Sequence, residues 1–595
     1  MRNVRGTRHS LPNARQLTAI AQDPSVQFRG RILTTELTVP AEDLLPGPCG
    51  YRVNVVDYDS STGMLYKPMT YENTKDEYID PFALKSDRSM PAARWKARDR
   101  KILDDPRFHA QNVYAVAMRT LAQFEFALGR RCAWGSNGHQ IHIAPHAFAD
   151  ANAFYSRDDR AIFFGYFMGG DGKPVFTCLA HDVVAHETTH ALLDGLRPRY
   201  MERSTPDQAA FHEGFADIVA LLSVFSLPDV IDAGLDLASD GRDSLISAKL
   251  LEREALKRSV LFGLAKQMGQ ELSVVRGEAL RRSVELKPNK AAMSDPEFAE
   301  PHRRGELLVA AIMNAFLDVW LSRVEKIGNI ANGKKDRSIV RDEGARAAGH
   351  LLTMAIRAID YCPPTDLTFS DYLSALLTID SEVVPDDDKY GYRAALLKNF
   401  NDYGIAKAGE TEDDGTWRRC NLELIYSRSH FDSMLREPEE VFRFIWENRK
   451  PLRVNKDSYI EVESVRPSIR LGPDGFVLRE TVAEYVEIVT LQANELSRLG
   501  LEAPAGIPPL RRIRIFGGGA LIFDEYGQLK YQIANRIDNA EYQQRRLDYL
   551  AATGFFDQPP EPRPASASQS RFAELHRMRI ANGNGRAPWR KRRSQ

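Results

Sequence analysis

The sequence predicts an α+β protein whose central part is a two-lobed domain, a mixed β lobe followed by an α-helical lobe. Short β-branched runs separated by turn residues dominate residues 28–66 and 140–167. Apolar residues at helical spacing mark residues 112–129 and 177–194, and long amphipathic helices dominate residues 207–405. Strands that precede a run of helices are typical of α+β domains with separate lobes.

The chain of 595 residues divides into four predicted segments. Residues 1–105 form a β-rich segment of unknown role, and residues 106–405 form the two-lobed domain. Residues 406–556 are a C-terminal α/β extension with a hairpin over 512–533, whose GGG run we interpret as a turn or bulge. Residues 557–595 are rich in Pro, Ser, Ala, Asn, Gly and Arg, which predicts a disordered basic tail that is solvated rather than bound to an acidic partner.

Composition excludes several classes of protein. With 80 basic and 81 acidic residues the formal net charge is −1, so no global field attracts nucleic acid or an anionic membrane. We find no apolar run as long as the ~18–20 residues of a membrane span. The N-terminal residues lack the apolar core of a secretory signal, so we expect a cytoplasmic protein, with unconventional export as the alternative. The five cysteines include no CxxC pair and favour reduced thiols.

The chemistry is indicated by the run His186-Glu187-Thr188-Thr189-His190. Residues four apart on an α-helix lie on one face, about 6 Å apart along the axis. Both imidazoles can therefore bind one zinc ion, while Glu187 can reach a water molecule without binding the metal. An exposed polar helix face with two histidines is the alternative.

A second run, His212-Glu213-Gly214-Phe215-Ala216-Asp217, opens an apolar helix. A catalytic zinc site needs three protein ligands, and Glu213 is the predicted third ligand beside His186 and His190. Asp217 lies one turn further along the same face, where it can accept the far N–H of a ligating histidine. Favourable acidic residues at a helix N-terminus are the alternative explanation.

These runs resemble the thermolysin family of zinc metallopeptidases, the gluzincins, over about residues 107–405. VVAHETTHALLDG is similar to the active-site helix of that family and includes Asp194, predicted to support the metal site from outside the ligand set. FHEGFADI is similar to the second zinc helix. Asn152-Ala153-Phe154-Tyr155 resembles the edge strand whose backbone pairs with an extended peptide, so Asn152 and Ala153 are predicted to bind substrate.

The resemblance also implies donors to the developing oxyanion. His302, in the run PHRRG, matches the histidine of the family, although the spacing to the glycine is one residue shorter than expected. Tyr200 lies one residue earlier than the tyrosine of the family. The acid that would orient His302 is Glu297 or Asp295, and the sequence does not choose between them.

The resemblance implies a thermolysin-like zincin fold and a zinc endopeptidase, with one Zn²⁺ per chain, a peptide or protein substrate and Glu187 as general base. The chain departs from the family in lacking a recognisable signal, propeptide and dense acidic calcium loop. Regulation by the flanking regions or by a partner protein is therefore part of the prediction. The alternative is a non-catalytic zinc-binding module that recognises peptides or proteins, but such a module has no need for Glu187.

Overall fold

The fold is described from a computed structural model of the full chain. The described residues are 13–557 and His576, without 25–26, 29–30, 72, 75–76, 84–91, 136–137, 171, 239–243, 258–282, 284, 331–332, 388–389 and 473–474. The predicted disordered tail therefore lies outside the described residues, apart from Asp557 and His576.

The described part of the chain is a mixed α+β structure with several sheets. The helices are α1 Ala92–Leu103, α2 Pro106–Leu128, α3 His181–Leu196, α4 Pro206–Phe225, α5 Pro228–Ala238, α6 Arg253–Leu256, α7 Pro301–Glu325, α8 Arg337–Arg357, α9 Phe369–Val383, α10 Tyr392–Asp402, α11 Phe431–Met434, α12 Pro438–Glu447 and α13 Ala540–Ala552.

The strands are β1 Ala14–Ile20, β2 Gln27–Phe28, β3 Arg31–Ile32, β4 Thr34–Pro40, β5 Val53–Val55, β6 Tyr58–Asp59, β7 Met64–Leu65, β8 Asn73–Thr74, β9 Glu77–Tyr78, β10 Ile141–Phe148, β11 Ala153–Ser156, β12 Ala161–Met168, β13 Pro174–Phe176, β14 Leu245–Ser247, β15 Lys334–Asp336, β16 Tyr459–Leu471, β17 Val477–Gln492, β18 Arg512–Phe523 and β19 Leu529–Asn535.

The sheet beside α3 has the order β11-β12-β10-β5, with β13 also paired to β12. β10 pairs in parallel with β12 and β5, and β11 pairs antiparallel to β12. The strands predicted at 140–144, 152–155 and 161–167 are thereby confirmed. β11 lies at one edge of this sheet, which leaves one side of its backbone for other partners.

The helices that follow pack around a common apolar core with the sheet. α4 and α7 approach closely at two glycines. A Cβ on Gly214 would meet the carbonyl oxygen of Gly305 at 3.1 Å, and a Cβ on Gly305 would meet that of Ala210 at 3.1 Å. The glycines therefore allow the first turns of α7 to lie against the middle of α4.

The predicted boundary at residue 105 stays a prediction. β5 and β10, on either side of it, share one sheet, and one apolar core extends from residue 17 into the C-terminal sheet at residue 533. Salt bridges add to this contact. Arg470 of β16 binds Asp360, which also binds Arg130, and Arg197 at the end of α3 binds Glu484 of β17.

The C-terminal extension contains the four-stranded antiparallel sheet β16-β17-β18-β19. β18 and β19 confirm the predicted hairpin. The interpretation of its GGG run as a turn or bulge is wrong, because these glycines lie in the middle of β18 and pair with β17. Gly518 has φ 132°, and a Cβ there would meet the Tyr485 carbonyl oxygen at 2.2 Å, so the close strand approach requires glycine.

Of the helices in the described ranges, one, Pro301–Lys326, is long and apolar enough to cross a membrane by length and composition. The helix pair Pro206–Phe225 and Pro228–Asp236 passes the same criteria together but is bent by 78°. Because 78% of the apolar window of Pro301–Lys326 is buried inside the protein, it has the character of a core helix.

Candidate metal centre

α3 presents His186 and His190 on one face, as the sequence predicts. Both side chains are buried, and their rings meet edge to face with centroids 4.5 Å apart. Nε2 of His186 lies 3.6 Å from Oε2 of Glu213, and Nε2 of His190 lies 3.5 Å from Oε1 of the same carboxylate. The two helices thus bring three potential ligand groups together around one point.

α4 contains Glu213 in its second helical turn, and Thr205 is the N-cap residue of this helix. The Thr205 hydroxyl accepts from the Gln208 amide, and Pro206 occupies the first turn, where its missing N–H costs nothing. Burial would raise the pKa of Glu213, but its interactions with His190, His186 and His576 outweigh burial and lower that pKa well below its usual value. The carboxylate is therefore ionised, as a metal ligand must be.

The far nitrogens of both α3 histidines also have partners. Nδ1 of His186 lies 2.8 Å from Oδ1 of Asp217, which places Asp217 where the sequence predicts it. Nδ1 of His190 lies 2.8 Å from Nδ1 of His212, a residue that the sequence analysis does not single out. Burial and the neighbouring His186 lower the pKa of His190 well below its usual value, so this imidazole is neutral. Partners of this kind fix the tautomer in which Nε2 can bind a metal.

A fourth side chain, His576, joins this group from the C-terminal end of the chain. Its Nε2 lies 3.6 Å from Oε2 of Glu213, and its ring is 5.8 Å from that of His186 and 6.0 Å from that of His190. Potential ligand atoms of His186, His190, Glu213 and His576 all lie within 4.8 Å of one another, and all four residues are buried. The sequence does not indicate a role for His576, because the composition of its surroundings predicts disorder.

Glu187 and the edge strand β11 lie directly beside this group. Oε2 of Glu187 accepts a hydrogen bond from the Tyr155 amide at 3.1 Å, and Oε1 lies 3.8 Å from Nδ1 of His576. The Asn152 side chain accepts from the Ala153 amide, and the Ala153 carbonyl accepts from His576 Nδ1 at 2.7 Å. The predicted general base and the predicted substrate strand are therefore adjacent.

Asp194 occupies a position different from that of Asp217. Its carboxylate accepts from the Tyr155 hydroxyl at 2.7 Å and from Nε of Arg157 at 2.9 Å. These contacts fasten the last turn of α3 to β11 and to the turn that follows it. Asp194 thus supports the strand beside the candidate metal ligands, and its hydrogen bonds within the described part of the chain do not include His186 or His190.

His302 lies in the first turn of α7, which the glycine contact holds against α4. Its Nδ1 lies 2.5 Å from Oε1 of Glu300, the N-cap residue of α7. Burial would raise the pKa of Glu300, but the hydrogen bond and charge of His302 lower it to about 2. The partner acid is thus Glu300, and the prediction of Glu297 or Asp295 is wrong. Nε2 of His302 is buried and has no hydrogen-bond partner among the described residues.

Tyr200 does not take the predicted position. It belongs to the 3₁₀ turn Pro198–Met201, is fully buried and donates its hydroxyl to the Pro363 carbonyl at 2.7 Å. Burial raises its pKa well above the usual value. Its ring packs edge to face on Phe211, so Tyr200 is a core residue, and its prediction as an oxyanion donor is contradicted.

A second buried group consists of His109, His146 and Cys178, whose potential ligand atoms also lie within 4.8 Å of one another. Nδ1 of His109 lies 2.7 Å from Nε2 of His146, Nε2 of His109 lies 2.8 Å from the Leu103 carbonyl, and Nδ1 of His146 lies 2.9 Å from Asp57. Burial raises the pKa of the Cys178 thiol well above its usual value, which opposes the thiolate that a metal would need. These contacts form a hydrogen-bonded chain.

The first group fits a divalent metal. Neutral imidazoles and an ionised carboxylate are the donor set that suits zinc among the common biological metals, although other transition metals accept it too. The described structure thus contains a buried His/Glu group that could hold a metal. A scan against protein-family models gave no match for this chain, and a search of curated proteins likewise gave none.

Proposed function

We propose that the protein is a zinc-dependent endopeptidase, with residues 106–405 forming a two-lobed thermolysin-like catalytic domain. The observation that carries this proposal is the convergence of His186, His190 and Glu213, with Glu187 held beside them against an edge strand. Such a strand can take an extended peptide by main-chain hydrogen bonds, which suits a substrate of variable sequence.

The roles of the side chains follow from their positions. A zinc ion held by these three residues would lower the pKa of its water toward ~7 and polarise the scissile carbonyl. Glu187 accepts the proton of the attacking water and returns it to the leaving amine, which is general base and then general acid catalysis. The Tyr155 amide holds the Glu187 carboxylate in place through its hydrogen bond at 3.1 Å.

His302 is the proposed donor to the developing oxyanion. Its Nδ1 contacts Glu300, so Nε2 is the ring nitrogen that can face the oxyanion. The buried Nε2, without a partner among the described residues, is suited to such a task.

A second candidate function is a non-catalytic zinc-binding module that recognises a peptide or protein. The observation that favours it is His576. Three protein ligands and an open position are typical of hydrolytic zinc sites, whereas four protein ligands are typical of structural ones. The retention of Glu187 beside the ligands favours the endopeptidase.

The test is cleavage of a mixed peptide library by the full-length chain and by Glu187→Gln, with zinc measured in both. We expect Glu187→Gln to retain zinc and to lose activity by ~10²–10⁴-fold, the usual contribution of a general base. Each variant is also made with His576→Ala, so that a blocked site is not mistaken for an inactive one. Zinc binding without cleavage in either background would support the binding module instead.

The substrate, the location and the regulation of the protein are also proposed. We propose a peptide or protein substrate and a cytoplasmic location, with activity controlled by the flanking regions or a partner. Fractionating cells that express the full-length chain tests the location.

A further inference from the structure

We propose that His576 is a fourth ligand of the metal and that it keeps the site closed in the intact chain. The ligation stands on the geometry alone, whereas the closure as a means of holding back catalysis rests on the proposed endopeptidase. His576 would thus be a built-in inhibitor of the site.

The first support is the direction of the ring. Nε2 of His576 faces Oε2 of Glu213 at 3.6 Å, which matches the 3.6 and 3.5 Å at which His186 and His190 face the same carboxylate. His576 is 2% exposed, so its imidazole has been transferred completely out of water. Such similar separations among potential ligand atoms are compatible with one metal ion bound by all of them.

The second support is the other ring nitrogen. Nδ1 of His576 donates to the Ala153 carbonyl at 2.7 Å, so in the neutral imidazole Nε2 carries the lone pair that can bind a metal. A backbone carbonyl on the far nitrogen is a usual partner of a ligating histidine. His186 and His190 have side-chain partners on the same nitrogen, so all three rings are oriented in one way.

The same hydrogen bond shows what His576 would exclude. Ala153 belongs to the edge strand whose backbone the proposed substrate needs, and His576 uses its carbonyl. His576 also lies 3.8 Å from Oε1 of Glu187, where an attacking water would have to stand. The His576 side chain would therefore occupy the open metal position, a backbone acceptor of the substrate strand and the space beside the proposed general base.

The contact joins residues 423 positions apart in one chain. An inhibitor tethered to the chain acts at a high effective concentration, so even a weak fourth ligand keeps the site closed most of the time. The closed state is nevertheless reversible, because departure of His576 removes one ligand and leaves the His186, His190 and Glu213 set intact. Activity would follow when His576 leaves the site.

The first experiment tests ligation without reference to catalysis. Full-length chain is prepared with Co²⁺ in place of zinc, as wild type, as His576→Ala and as His142→Ala, an exposed histidine on β10 that serves as the matched control. We expect the visible Co²⁺ spectrum to change in His576→Ala alone and added imidazole to restore it. Identical spectra for all three proteins would overturn the proposal.

The second experiment tests closure with a fluorogenic peptide on the same zinc-loaded proteins. If the open state is ~1–10% of the wild-type population, removing His576 raises the rate by ~10–100-fold, and imidazole lowers it again. An unchanged rate in His576→Ala, with a wild type that cleaves peptides, would overturn closure while the proposed function stands. A changed Co²⁺ spectrum without cleavage by any variant would uphold ligation and overturn the endopeptidase.

Discussion

The molecule contains two buried histidine clusters with different arrangements of their nitrogens. Around Glu213, three imidazoles turn Nε2 toward one carboxylate at 3.5–3.6 Å, and their other nitrogens are held by outer partners. Around His146, Nδ1 of His109 lies 2.7 Å from Nε2 of His146, and Nδ1 of His146 lies 2.9 Å from Asp57, so the contacts follow one another in a chain. Nitrogens that converge on one point with fixed tautomers, as around Glu213, can bind a metal. Nitrogens that hydrogen-bond one after another, as around His146, form a structural hydrogen-bond network.

The largest difference between the clusters should be in metal affinity. We expect His190→Ala to weaken zinc binding by more than ~100-fold, since a direct ligand should cost more than an outer partner does. His109→Gln, the matched change in the other cluster, should leave affinity and stoichiometry unchanged. Competition with a chromophoric chelator measures both, and loss of a metal equivalent in His109→Gln would show that the second cluster also binds metal.

The next effect is on catalysis, and it distinguishes the role of His302 from that of its partner Glu300. In the His576→Ala background, His302→Ala should lower kcat/KM by ~10²–10³-fold, the usual cost of losing one oxyanion donor. Glu300→Gln should cost less, because it keeps the cap and the imidazole but removes the charge beside it. Steady-state kinetics on one peptide compare them. Equal losses in both variants would mean that Glu300 does more than orient His302.

The outer partners of the metal ligands should have intermediate effects. Asp217→Asn and His212→Ala each remove support from one ligand nitrogen, and each should weaken zinc binding by ~10–100-fold. His212 is the sharper test, because a histidine in this role was not predicted. If chelator competition shows no loss in His212→Ala, its contact with His190 is incidental.

Low pH should destabilise the folded protein through the cluster around His146. Burial and the charge of His146 lower the pKa of His109 to about 3, while Asp105 and the Leu103 carbonyl act in the opposite direction. In the unfolded chain its pKa is ~6.5, so the unfolded state binds more protons between these values and the free energy of unfolding falls as the pH drops from ~6.5 to ~3. In metal-free protein, His109→Gln should lose less Tm than wild type between pH 7 and pH 4. Parallel Tm curves would contradict this.

The sequence predicts the parts of the site that depend on regular geometry. Helical period places His186 and His190 together and sets Asp217 one turn beyond Glu213, as found. Prediction from the sequence fails where the position of a residue depends on irregular backbone or on contacts between residues far apart in the sequence. Glu300 replaces the predicted acids because it caps α7, and Tyr200 points into the core because it belongs to a 3₁₀ turn. His576 is far from the site in sequence, and its composition predicts disorder.

The smallest effect on activity should come from Tyr200→Phe. Its hydroxyl donates to the Pro363 carbonyl at 2.7 Å inside the core, so the phenyl ring keeps all apolar contacts and the proposed active site keeps its donors. We expect kcat/KM to stay within about twofold, while the free energy of unfolding falls by ~1–3 kcal/mol because the buried carbonyl loses its donor. Denaturant unfolding measures the change in stability, and peptide kinetics on the same protein measure kcat/KM. A large loss of kcat/KM at unchanged stability would return Tyr200 to the reacting centre and require a different position of the 3₁₀ turn during catalysis.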